Sequence, residues 1–155
     1  MRPDCSTPVA PTEDGLSATE PTERAANRQG TGRRDRRVCV VEDDASVCDS
    51  LVVLLEIYGF ETVAYASGAA LLADQRHREM GCLIIDQHLP EMDGIEVLTA
   101  LQRKAIFVPT ILVSGRLDAA TAVRAGKLGA IAVLEKPLAV TQLIDLVRGG
   151  LEPPR

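Results

Sequence analysis

The chain has 155 residues, 46% of them hydrophobic but only 3% aromatic and none Trp, so there is material for one globular domain whose core is built from Val, Leu, Ile and Ala. The net charge of −5 is unevenly spread: residues 1–37 hold seven Arg against six acidic side chains, and residues 38–155 hold ten basic against sixteen acidic ones. That acidic balance works against nonspecific binding to DNA or to an anionic membrane, and no stretch of eighteen apolar residues offers a membrane span.

Residues 1–36 are rich in Pro, Thr, Ala, Glu, Arg and Gly without hydrophobic periodicity, and they bury too little to offset their ordering entropy; a disordered tail is expected. No apolar h-region marks the beginning as a secretory signal. The basic run Arg33, Arg34, Arg36 and Arg37, interrupted by Asp35, reads as a solvated edge ahead of the first strand. Cys5, Cys39, Cys48 and Cys82 form no CxxC pair and only two histidines are present, which argues against zinc. Cys39 and Cys82 lie in apolar runs and read as small buried hydrophobes, as in a reducing cytoplasm.

From Val38 onward, short apolar runs alternate with helical patterns. Val38-Cys39-Val40-Val41 is a continuous apolar run, as in a central parallel strand buried on both faces. Ala45 to Tyr58 reads as a helix with Val47, Leu51, Leu54, Leu55 and Tyr58 on one side and Gly59 ending it. Thr62 to Tyr65 is a second strand, and Gly68 to Arg76 a second helix capped by Ser67. Beyond it lies His77, a solvated surface residue by its polar surroundings. Cys82 to Ile85 is a third strand with Asp86 at its tip, followed by a helix from Gly94 to Lys104 capped by Asp93. Pro109 to Val113 is a fourth strand ending at Ser114-Gly115, and Ala119 to Leu128 a helix capped by Asp118 and stopped by Gly129. Ile131 to Leu134 and Leu138 to Arg148 complete the series, leaving 149–155 as a flexible end or linker stub. Five βα units in so short a span predict a doubly wound parallel sheet with strand order 2-1-3-4-5.

In such a fold, ligands bind beyond the carboxyl ends of the strands. Those ends carry Glu42-Asp43-Asp44, Asp86, Ser114 and Lys136-Pro137. Carboxylates gathered there repel one another unless a cation sits among them, and an all-oxygen set favours a hard ion, Mg²⁺ first. A lysine and a hydroxyl beside them suit a phosphoryl group, and an Asp carboxylate can itself attack phosphorus.

Four pieces then carry a resemblance: Val40-Val41-Glu42-Asp43-Asp44, Leu83-Ile84-Ile85-Asp86 with Leu89-Pro90-Glu91-Met92-Asp93-Gly94, Thr110 through Gly115, and Gly129-Ala130 through Leu134-Glu135-Lys136-Pro137. In order and spacing they resemble the receiver domain of bacterial two-component response regulators, a flavodoxin-like, CheY-like (βα)5 fold, over residues 38–148. The last two pieces are similar to receivers of the FixJ and NtrC type. The resemblance implies a domain at 37–148 in which Asp86 accepts the phosphoryl group. It implies that Glu42, Asp43, Asp86 and the backbone carbonyl of His88 hold Mg²⁺, that Ser114 contacts the phosphoryl group, and that Lys136 pairs with its oxygens, the Lys136-Pro137 bond being cis. Asp44 is then peripheral, and Asp93 and Gly94 are a cap and a turn. One position departs: the family places Tyr or Phe three residues before the lysine, and here stands Val133. Gln87 and His88 are also unusual, and their place beside the acceptor suggests effects on phosphoryl lifetime or kinase choice.

The implied function is signalling, not classical enzymology: a sensor histidine kinase or phosphotransfer protein donates, Asp86 accepts, and a surface around the fourth and fifth βα units changes for a downstream effector protein or a second copy. The implied site of action is the cytoplasm, with no direct nucleic-acid or membrane contact. Alternatives are a receiver fragment of a longer transcriptional regulator, a phosphorylation-independent interaction module kept open by Val133, and a phosphatase on a related scaffold, which the His88 position and the lack of a cap domain disfavour. A flavin module is weaker still, for want of aromatic residues.

Overall fold

β-Branched and aliphatic runs dominate the strands, and the three central ones pack buried on both faces. The computed structural model describes residues 37–74 and 80–152. Expectations for residues 1–36, for His77 and for 153–155 lie outside the described residues, whereas the second helix, expected to run to Arg76, already ends at Ala73, where Asp74 takes an extended backbone. Five strands, β1 (Arg37–Val41), β2 (Glu61–Tyr65), β3 (Cys82–Asp86), β4 (Thr110–Ser114) and β5 (Ala130–Glu135), form one parallel sheet. Its order is β2-β1-β3-β4-β5, as the alternation predicts. Strands β3 and β4 are buried along their whole length, as is β1 from Val38 onward. Four helices connect them, α1 (Ala45–Ile57), α2 (Gly68–Ala73), α3 (Gly94–Arg103) and α4 (Ala119–Lys127), and a fifth, α5 (Val140–Leu151), follows β5.

The pleat divides the core into two layers. Cys39, Val41, Leu83, Ile85 and Leu112 face α2, α3 and α4, against Leu71, Ile95, Leu98, Leu101 and Ala125. Val38, Val40, Cys82, Ile84, Ile111 and Val113 face α1 and α5, against Leu55, Leu143, Ile144 and Val147. Helix α1 departs from its expected face: Cys48 and Leu55 are buried and Leu51, Val52 and Leu54 half-buried, whereas Val47 and Tyr58 are exposed. Its apolar residues span more than one stripe, so the pattern alone does not settle which of them the sheet covers.

Four of the five helix starts match the sequence; α5 begins at Val140, two residues after the expected Leu138, because Ala139 is still extended and no side chain caps the turn. Ser67, Asp93 and Asp118 accept backbone N–H bonds at the starts of α2, α3 and α4, and Asp93 forms a capping box with Glu96. Helix α5 runs three residues further than expected, through Gly149 and Gly150 to Leu151. Glycines ordinarily end a helix, but Gly150 backs onto Pro109 and Ile131, where a side chain would be crowded. Tertiary contact therefore holds the last turn in place of propensity, and the expected flexible end does not begin at Gly149.

Candidate functional site

Period-2 alternation decides which tip residues meet. Val40, Ile84 and Leu134 point to the α1/α5 face. Two residues on from each stand Glu42, Asp86 and Lys136, and all three line one groove with Val40, Ile84 and Val113. The strand order places these tips beside one another. Lys136 Nζ lies 3.0 Å from Asp86 Oδ2 and 3.4 Å from Glu42 Oε1. Glu42 and Asp86 are buried, Lys136 half-buried. The Lys136-Pro137 peptide is cis, as the resemblance implies.

Backbone donors hold the carboxylates from the other side. The Asp44 N–H donates to Glu42 Oε2 at 3.2 Å, and the His88 N–H donates to Asp86 Oδ1 at 3.0 Å. Burial raises the Glu42 carboxyl above its ordinary value; the Asp44 bond and Lys136 oppose the rise and Asp86 adds to it. Burial works against the Lys136 ammonium, yet Asp86 and Glu42 outweigh it and hold the lysine above its usual range. The lysine is therefore charged at neutral pH and compensates two buried carboxylates.

Asp43 is exposed, and oxygens of Glu42, Asp43 and Asp86 all lie within 4.8 Å of one another. This set fits a small hard cation: every side-chain donor is oxygen, and the exposed side leaves room for the waters Mg²⁺ retains. Asp44, third in the acidic run, does different work. Its Oδ1 accepts from the Ser46 and Val47 amides and caps α1. An Asp directly before an apolar-periodic segment is itself a cap signal.

Ser114 lies across the sheet edge. It follows Leu112 on the pleat, toward the α2–α4 layer, and is 1% exposed. Its hydroxyl donates to the Arg116 carbonyl at 2.8 Å and accepts from the Arg116 N–H at 3.1 Å. His88 Nε2 lies 3.0 Å from Ser114 Oγ, a contact that sequence reasoning missed. Gln87 faces away from the carboxylates: its N–H bonds the Val113 carbonyl, its carbonyl accepts from the Gly94 N–H, and its Oε1 accepts from the Ile95 N–H at the start of α3. Val133 is half-buried and packs against the α2–α4 core. Beside Asp86 and Lys136, a groove of about 410 Å³ opens between α1 and α5, lined by Val47, Leu51, Leu54, Pro137, Leu138 and Val140.

A doubly wound sheet with an acid–lysine cluster at its switch point is the architecture of a signalling receiver, and the chain belongs to the response regulator receiver domain family, whose model matches residues 38–148. It is 37% identical over 118 residues to nodulation protein W of Bradyrhizobium diazoefficiens, covering 76% of this chain and 52% of that protein. It is 36% identical over 114 residues to the transcriptional regulatory protein FixJ of Azorhizobium caulinodans, covering 74% and 54%. Among solved structures it is similar to FixJ-N, with a TM-score of 0.69 at 32% identity over 77% of this chain and 95% of that one. It is also similar to the response regulator StyR, with a TM-score of 0.70 at 36% identity over 74% and 58%. The chain spans about half the length of the curated relatives it matches. Among the described residues no helix is long and apolar enough to cross a membrane.

Proposed function

We propose that Asp86 accepts a phosphoryl group in a Mg²⁺-dependent reaction and that the modified receiver presents an altered surface to a partner protein. The observation that carries this reading is the ammonium of Lys136, 3.0 Å from Asp86 and bridging to Glu42, beside a three-carboxylate cluster. Glu42, Asp43, Asp86 and the His88 carbonyl would hold the metal, which when bound neutralises phosphoryl charge. An Asp86 oxygen attacks phosphorus in line. The bond to the donor's imidazole nitrogen breaks as the new P–O bond forms, and the imidazole keeps the departing electron pair. Lys136 then turns from the carboxylate to the phosphoryl oxygens, where its charge is needed. Ser114 supplies a hydrogen bond to the same group.

The donor in this reading is a sensor histidine kinase or phosphotransfer protein, and the apolar groove between α1 and α5 gives it a footing within reach of Asp86. The receiver domain is residues 37–148, acting in the cytoplasm as a signalling phosphoprotein and not as a turnover enzyme. Its output passes through an effector protein, a second copy paired through the fourth and fifth βα units, or a further domain of a longer regulator. Direct nucleic-acid contact by the receiver is not part of this function. Incubation with acetyl phosphate and Mg²⁺, followed by intact mass, tests the chemistry. One added phosphoryl group that disappears in Asp86→Ala and on chelation is expected; labelling retained by Asp86→Ala would sink the assignment.

Val133 supports a second reading, a module that binds its partner without phosphorylation, because this side chain has no ring to swing between positions. Equal partner affinity for wild type and Asp86→Ala, with and without Mg²⁺, would favour it.

A further inference from the structure

We propose that His88 is a positioning residue that latches Ser114 away from the phosphoryl site, so that the latch must open when Asp86 is modified. The inference rests on the reading of Asp86 as phosphoacceptor.

Ser114 has one proton to give and two lone pairs to fill. The proton goes to the Arg116 carbonyl, and one lone pair takes the Arg116 N–H. With the hydroxyl proton spent, His88 enters as donor through Nε2–H at 3.0 Å and fills the second lone pair. The buried hydroxyl is thereby saturated and has nothing free for a phosphoryl oxygen. To donate to one, it must give up the Arg116 carbonyl and rotate, which breaks its bond to His88.

His88 is placed to sense the acceptor as well. Its backbone N–H bonds Asp86 Oδ1 while its ring bonds Ser114, so one residue joins a carboxylate on the α1/α5 face to a hydroxyl on the α2–α4 face. The ring is exposed and can swing into water without opening the core. Its neighbour Gln87 is fixed by bonds to Val113, Gly94 and Ile95, so the hinge is confined to His88. On the far side, Arg116 belongs to the short loop that leads to the Asp118 cap of α4. Opening the latch therefore loosens the approach to α4.

The test compares wild type, His88→Ala, His88→Gln, Ser114→Ala and the double variant carrying both alanines. In metal-free protein, amide hydrogen exchange at Arg116 should rise about five-fold in His88→Ala, the effect of one net hydrogen bond. His88→Gln, whose amide can still donate, should restore protection. With acetyl phosphate and Mg²⁺, His88→Ala should take up the phosphoryl group about five-fold faster than wild type, since Ser114 no longer has to be freed. On the Ser114→Ala background, the His88 substitution should change nothing further. Unchanged exchange, slower uptake in His88→Ala, or the same acceleration without Ser114 would each overturn the latch. No mass gain in any variant would instead overturn the acceptor reading, and the exchange data would still decide whether His88 holds Ser114.

Discussion

The two faces of the sheet meet the same strand tips with opposite chemistry. On the α1/α5 side, the pleat delivers Glu42, Asp86 and Lys136 into an open groove, where charge is compensated by ion pairing and by backbone N–H groups. On the α2–α4 side it delivers a buried Ser114, with every hydrogen-bonding valence of the hydroxyl filled by the Arg116 backbone and the exposed His88 ring. The carboxylates and the hydroxyl thus leave the strand tips on opposite sides, bridged by His88, and the division comes from residue parity along each strand.

The sharpest way to break the reactive face is Lys136→Ala. It leaves the buried Asp86 and Glu42 without their cation, and acetyl phosphate labelling should slow by about 100-fold or more, read by intact mass. The opposite face is broken by Gly94→Ala. A Cβ there would stand 2.7 Å from Leu112 Cδ1 and 3.0 Å from the Asp86 carbonyl oxygen. Overpacking of this kind costs about 1–3 kcal/mol, measurable by urea unfolding monitored by circular dichroism.

A smaller effect sharpens the electrostatic half of the contrast. Burial first, then Asp86, raises the Glu42 carboxyl above 4.5. The metal-free folded state therefore binds the Glu42 proton more tightly than the unfolded chain does. Stability from this group is fully present below the unfolded value and is lost as pH rises through the folded one. Glu42→Gln imitates the protonated side chain. In chelator at pH 7 it should unfold at higher urea than wild type, and the gap should close as pH falls toward 4.5. The smallest effect lies away from the tips, after α3, where exposed Ala105 holds a φ of 59°. Ala105→Gly should stabilise the fold by about 0.5–1 kcal/mol in the same unfolding assay, with labelling unchanged.

The alternation of apolar runs and helical patterns makes the fold legible in the sequence, because buried parallel strands leave no ambiguity of face to resolve. Asp86, Glu42, Asp43 and Lys136 are legible for a related reason: each stands at or just beyond the end of an apolar run, and strand order converts that position into proximity. The division of Ser114 from the carboxylates is not read from the sequence, which sets the hydroxyl beside them, although Leu112 and Ile84 sit on opposite pleats. The role of the Gln87 side chain is not legible, because its partner is an amide eight positions on, inside α3. Nor is the His88–Ser114 contact, which joins positions 26 residues apart through a side chain whose rotamer depends on both loops. Gly149 and Gly150 mislead for the opposite reason: local propensity ends the helix, and packing on Pro109 carries it on.

The thiols of Cys48 and Cys82 are shut inside the α1/α5 layer, and burial pushes Cys82 up to about 12. Native protein should hide both from a maleimide, and each becomes reactive only when α1 lifts or β3 parts from its neighbours. With Cys5 and Cys39 replaced by Ala, two alkylation rates on one molecule would then time the loosening of a helix against the rupture of the central sheet, a stopwatch for a chain that has no tryptophan to report its own unfolding.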